Sequence, residues 1–272
     1  MRPQAPDIAA PEFPPRLSWA GGNPGSMAEL TATGPVLVHF FDFAQLNCIR
    51  ALPYVLAWSE RYADYGLTTI GVHSPRFPFT AEPGAVSDAL ERFEITHPVA
   101  VDSSHDVWAD YGCEGWPSLF LWGQGGMLHW AHFGEGEYLP TEHAIQETLR
   151  EVDSLRELPD LLMPLRSTDL PDAKVVPPSP EFFPGGSPSE PWVSDGEEEI
   201  QLDYEAGGVW VTIEGPGELR VSLDPSPEWT IDITNAGLYE IADHRRHEGH
   251  RLVLGPAFGQ QVYSVSFAPG VP

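Results

Sequence analysis

The chain has 272 residues, 42% hydrophobic and 11% aromatic. That is enough apolar material for one core of ordinary size and a smaller second one, and too much for a chain disordered over most of its length. Its 14 Lys+Arg stand against 40 Asp+Glu, a formal charge of −26, and such a field repels phosphate backbones and anionic lipid surfaces, which excludes nucleic acid and membranes as natural partners.

No run approaches the ~20 apolar residues of a membrane span, and Arg2 is not followed by the apolar stretch of a secretory signal, so a cytoplasmic protein is expected. Residues 1–16 hold five prolines and read as an extended lead-in. Pro35–Phe41, behind Gly34, is a short apolar run suited to a central buried strand. From Cys48 to Tyr65 the period changes: Ile49, Leu52, Val55 (or Leu56) and Tyr62 recur at helical spacing, and Gly66 stops the helix. Leu67–His73 is the next strand, parallel to the first because a helix crosses between them. Ala85–Phe93 reads as a helix, Pro98–Asp102 as a strand, and Ser104–Tyr111 as a short helix capped by Ser104. Trp116–Trp122 and Met127–Phe133 form a hairpin around Gly123–Gly126, and Thr141 caps a last helix through Leu158.

Pro159–Pro191 holds nine prolines and little periodicity, the pattern of a linker draped over a surface. Beyond it come seven short alternating segments: 200–204, 209–213, 219–223, 229–233, 237–241, 251–254 and 262–267. Period-two runs broken by Gly and Pro at this spacing point to a small antiparallel sandwich. The expected organisation is a lead-in at 1–16, an α/β domain at 17–158, a linker at 159–191 and an all-β domain at 192–272.

Val36–Phe41 followed by Asn47-Cys48-Ile49-Arg50-Ala51-Leu52-Pro53 resembles the thioredoxin superfamily, TlpA-like redoxins and the soluble C-terminal region of DipZ-type proteins above all. Ile70–Pro75, Tyr111–Pro117 and His132–Gly136 follow the same pattern in the same order. Farther on, Ser179–Gly185, Gly237–Ile241, His250–Leu254 and Val262–Phe267 resemble the linker and β-domain of that group. The resemblance implies a thioredoxin fold, a mixed sheet flanked by helices, followed by a β-sandwich or jelly-roll-like domain. It also implies a cis-proline at Pro117 and a groove, formed here by Phe43, Ala44, Gln45, Trp116 and Pro117, that holds an extended protein or peptide segment.

The family's active site is a Cys-x-x-Cys at the start of the first long helix, and here those positions read Gln45-Leu46-Asn47-Cys48. The first thiol of such a motif sits at a helix N-terminus, where free N–H groups and the macrodipole stabilise its thiolate; the second, about one turn along, resolves the mixed disulfide. Gln45 cannot attack a disulfide, and a lone resolving thiol at Cys48 does not turn over. The expectation is therefore a non-catalytic binding or scaffold module.

Several alternatives stay open on the sequence. Cys113 either pairs with Cys48 or is a small buried hydrophobe; an external thiol such as glutathione would be another partner. His39 either lowers the Cys48 pKa or is a core histidine. Peroxidatic chemistry is disfavoured, because Phe41 and Gln45 stand where peroxiredoxins carry their Pro and Thr. His244, His247 and His250 have a helix-type ligand spacing, but lie between strands where residues three apart face oppositely, so no metal is expected. Trp192, Trp210 and Trp229 either fill the β-domain core or offer a glycan a stacking face. No cofactor motif is present.

Overall fold

A computed structural model describes residues 8–224 and 226–272; the first seven residues of the expected lead-in lie outside it. The α/β part is organised around β2 (Val36–Phe41), whose six residues are all buried. It pairs in parallel with β3 (Thr68–His73) through α2 (Leu46–Ala63), and antiparallel with β5 (Ser118–Trp122). With β1 (Ser18–Ala20), β4 (Val99–Val101) and β6 (Leu128–Phe133) the sheet order is β1-β4-β3-β2-β5-β6. Its position in mid-sheet explains why β2 is an unbroken apolar run: both of its faces are covered. Leu37 joins Val55, Trp58 and Tyr62 of α2 and Ile145 and Leu149 of α5 (Tyr138–Val152). Val38 and Phe40 face the other way, toward Met27, Val107 and Tyr111. This is the thioredoxin-like fold, with its mixed sheet between helices.

Two elements of the α/β part were not anticipated. Besides β1 there is α1 (Met27–Thr33), opened by a capping box in which Ser26 accepts from the Glu29 N–H and the Glu29 carboxylate accepts from the Ser26 N–H. Glu12 closes the same end by accepting from the N–H groups of Met27 and Ala28 at 2.8 and 2.9 Å. Other helices are shifted from their expected bounds. α3 (Pro83–Arg92) starts with proline in its first turn. α5 starts at Tyr138 rather than at Thr141, because Glu137, in left-handed backbone, precedes the helix and leaves Thr141 buried inside it, accepting from Trp130 Nε1. It ends at Val152, with Asp153 in extended backbone.

The cap of α4 (Asp106–Asp110) is also not Ser104. Asp102, 1% exposed, accepts from the N–H groups of Val107 and Trp108 at 3.1 and 2.9 Å and from the Ser74 hydroxyl at 3.1 Å. A carboxylate buried at the end of β4 thus serves two backbone donors and one hydroxyl. Asp102→Ala leaves all three without a partner, and at ~1 kcal/mol for each buried orphan the expected loss is about 3 kcal/mol. A fall of the urea midpoint, with exchange protection lost first at Val107 and Trp108, checks this; an unchanged midpoint refutes it.

The chain folds as two units. One takes in the described residues to Phe43 together with Asn47–Pro75 and Ala81–Pro164; the other takes in Ala44–Leu46, Arg76–Thr80 and Leu165–Pro272. The second unit is a single antiparallel sheet of order β10-β9-β11-β8-β12-β7. It comprises β7 (Trp192–Val193), β8 (Ile200–Glu214), β9 (Gly217–Leu223), β10 (Trp229–Ile233), β11 (Gly237–Gly255) and β12 (Gln261–Ala268). Four of the seven alternating segments prove to be the two ends of β8 and the two ends of β11. Backbone pairing runs on through the polar stretches between them, with register shifts at Glu240/Ala242 and Asp243/Glu248. The sheet curls so that both ends of each long strand feed one core, with Ile200 and Ile213 from β8 and Ile241 and Leu252 from β11.

The proline-rich stretch contributes backbone pairs rather than long elements: Phe182 exchanges both bonds with Val265, and Val176 pairs with Gly270. The two short segments of this unit are tied in by specific contacts. The Thr212 hydroxyl donates to the Ala44 carbonyl at 3.1 Å, Arg76 grips Glu181 through both carboxylate oxygens at 3.1 and 2.7 Å, and Phe79 lies 5.0 Å from the Tyr263 ring.

Candidate functional site

α2 begins one residue after Gln45, so the amide occupies the helix start and Cys48 lies in its first turn. Cys48 is 1% exposed, and its sulfur accepts from the Asp42 N–H at 3.4 Å. Burial closes the route for an external disulfide.

Both cysteines are free thiols, and Cys113 packs against the core that contains Val107 and Tyr111. Burial pushes its thiol up to about 12, opposed by a hydrogen bond from Ser118 and reinforced by the Asp102 charge. At neutral pH it is a thiol, not a nucleophile.

His39 does not pair with Cys48. Neither ring nitrogen has a hydrogen-bond partner, and the ring stacks on Phe41 at 5.1 Å. Burial, helped by the neighbouring His97, pushes its pKa down to about 3, so the imidazole is neutral. The usual core histidine is bonded to backbone; this one is bonded to nothing.

His97 and His73, not singled out from the sequence, share this condition. Both are buried with neither nitrogen hydrogen-bonded. Burial lowers His97 to about 4 and also lowers His73, where the Asp42 charge pulls the other way. His73 stacks on Phe43 at 5.1 Å. Gly71, paired with both His39 and Val99, leaves room among them: a Cβ there would come within 2.9 Å of Val99 Cγ2 and 3.4 Å of His97 Nε2. The signal available in the sequence was His73 at a strand position among apolar neighbours; His97, ahead of β4, left none.

The groove residues have unequal access. Phe43, Ala44 and Pro117 are buried, while Gln45 and Trp116 are half-buried. The Trp116–Pro117 peptide is cis. Trp116 is fixed from two sides: its indole N–H donates to the Ser74 carbonyl at 2.8 Å, and its ring lies 4.2 Å from that of Trp108.

In the β unit the histidines three apart are separated, whereas His244 and His250, six apart, meet. The β11 irregularity between Asp243 and Glu248, with Arg245 at φ 62°, turns the chain so that the two rings stack at 3.9 Å. Tyr204 Oη is hydrogen-bonded to His244 Nε2 at 2.8 Å, and His250 Nδ1 to Asp224 at 2.5 Å. His247 lies apart, beside Glu205 at 3.8 Å. Among the described residues no group of three or more His, Cys, Asp or Glu side chains could hold a metal ion. Trp192 and Trp229 pack against the β core, and Trp210 alternates with the buried Val209 and Val211 on the opposite face of β8. The three indoles therefore do not share one face.

No family model matches the chain. It is 27% identical to the protein DipZ of Mycobacterium tuberculosis over 92% of its own length and 41% of that protein's, so it spans about two fifths of that relative. It is 26% identical to the thiol-disulfide oxidoreductase YkuV of Bacillus subtilis, covering 53% of this chain and 95% of YkuV. Among solved structures, the thioredoxin-like superfamily protein SPOA0173 superposes with a TM-score of 0.48 at 22% identity, over 56% of this chain and 99% of that one. No helix among the described residues is long and apolar enough to cross a membrane.

Proposed function

Starting from a chain that resembles DipZ and the thioredoxin-like redoxins, we propose that it has abandoned dithiol–disulfide exchange and acts as a non-catalytic binding or scaffold module. The observation that carries this is the helix start itself: an amide at Gln45, with Cys48 buried behind it. Three conditions are needed for exchange: a thiolate, access, and a resolving thiol. Gln45 supplies no sulfur, Cys48 has no access, and Cys113 is held protonated. The partner surface would include Trp116, half-exposed beside the cis-proline.

The competing reading, a thiol-disulfide oxidoreductase using Cys48 with Cys113 or with glutathione, draws on the activity named for YkuV. Insulin reduction by the purified protein separates the two. The expected result is a rate equal to the dithiothreitol background and the same in Cys48→Ser, with two thiols titrating after denaturation whether or not reductant was added. Turnover abolished by Cys48→Ser would establish the competing reading.

A further inference from the structure

One cavity of the thioredoxin-like unit is lined by neither cysteine. It measures about 390 Å³, within the range of small-molecule sites. Its floor is the face of β5 and β6 that carries Phe120, Trp122 and Phe133, and Tyr111 closes it from the end of α4. The rings form one connected cluster: Tyr111 and Phe120 have centroids 5.5 Å apart, Tyr111 and Trp122 5.9 Å, and Phe120 and Phe133 5.6 Å.

The outer wall is the chain entering the domain, and it is held by backbone. The Leu128 N–H donates to the Ile8 carbonyl and the Ala10 N–H to the Gly126 carbonyl, both at 2.9 Å, and the Tyr111 hydroxyl donates to the Pro11 carbonyl at 3.1 Å. The cavity is therefore built rather than left by a loose tail. At its mouth apolar groups stay wet, with Phe133 40% and Ile8 46% exposed.

Two features select the charge of an occupant. Aromatic faces carry negative potential and attract cations, alkylammonium groups above all. Among the described residues lining the cavity Asp110 is the one that carries a charge, and it is exposed beside Tyr111. The whole-chain charge of −26 adds to this selection.

We propose that this cavity binds an aryl- or alkylammonium ligand, with the apolar part against Phe120, Trp122 and Phe133 and the cationic group toward Asp110.

Calorimetric titration of the full chain at low salt, with benzyltrimethylammonium, benzyl alcohol and benzoate as probes, tests it. The cation should bind at least about tenfold more tightly than the alcohol, and benzoate should show no saturable binding. Asp110→Asn should narrow the advantage of the cation over the alcohol to about threefold or less. Phe133→Ala, at an exposed ring whose loss the fold tolerates, should weaken the cation about fivefold, with thermal unfolding run alongside to show an intact fold. Absence of saturable binding, equal affinity for cation and alcohol, or a cation affinity untouched by both substitutions would each overturn the proposal.

Discussion

Lowering the pH from 7 to 5 is expected to remove about 4 kcal/mol of folding stability through His39 and His97 alone. Folded, the two imidazoles are neutral down to about 3 and about 4 respectively, because burial leaves a charged ring without water and neither has a hydrogen bond to compensate. Unfolded, each takes up its proton near pH 6.5. Throughout that window the unfolded chain binds more protons, so stability is complete above about pH 6.5 and drains as the pH falls toward the folded values. At pH 5 each ring is about 1.5 pH units below its unfolded pKa, and at ~1.4 kcal/mol per unit that is about 2 kcal/mol apiece. His73 acts in the same direction.

The carboxylates whose values are depressed by backbone hydrogen bonds, Glu29, Asp195 and Asp224, lie at the surface and begin to matter only below about pH 4.5. Relief of the mutual repulsion behind the −26 charge stabilises the protein as the pH falls, but it is common to wild type and variant. Urea melts at pH 7 and pH 5 on wild type and His39→Leu therefore isolate the effect. The difference between the two pH values should shrink by about 2 kcal/mol in the variant. Identical pH dependence would show that the ring is not buried neutral.

The second large effect is a gain. Gln45→Cys places a sulfur at the start of α2, one turn from Cys48. An ordinary thiol of pKa near 8.5 is only about 3% ionised at pH 7, whereas one lowered to about 7 by a helix N-terminus is about half ionised. The variant should close a disulfide with Cys48 on mild oxidation, seen as the loss of two hydrogens in the intact mass. It should also reduce insulin at least about tenfold faster than wild type. Adding Cys48→Ser should abolish both. A folded Gln45→Cys protein that forms no disulfide would mean that more than one sulfur has been lost from the machinery.

Legibility in the sequence followed burial. β2 and α2 were readable because each has one demand placed on it: β2 is covered on both faces, and α2 buries one stripe. β1 is too short to show a period, and its partner β4 is remote in sequence. α1 did leave a signature, Ser26-Met27-Ala28-Glu29, because a capping box is local chemistry. β11 was split by its polar middle, Asp243–Gly249, since antiparallel pairing asks only for backbone. The helix-start position and both cysteines could be placed from the resemblance alone. The histidine cluster could not, because it is assembled by the register of β2 on β3 together with the segment leading into β4, and a histidine's place in the sequence gives no hint of whether its nitrogens find partners.

The second unit draws short pieces from inside the stretch that builds the first: Ala44–Leu46 and Arg76–Thr80 are numbered with one and folded with the other. Dissection at the proline-rich stretch would therefore not yield a self-sufficient product. A fragment starting at Leu165 would strip Glu181 of its guanidinium, Tyr263 of its aromatic neighbours and Thr212 of its acceptor all at once. Expression trials should keep both halves on one polypeptide, and a recombined chimera would have to inherit those two inserts along with its β sheet.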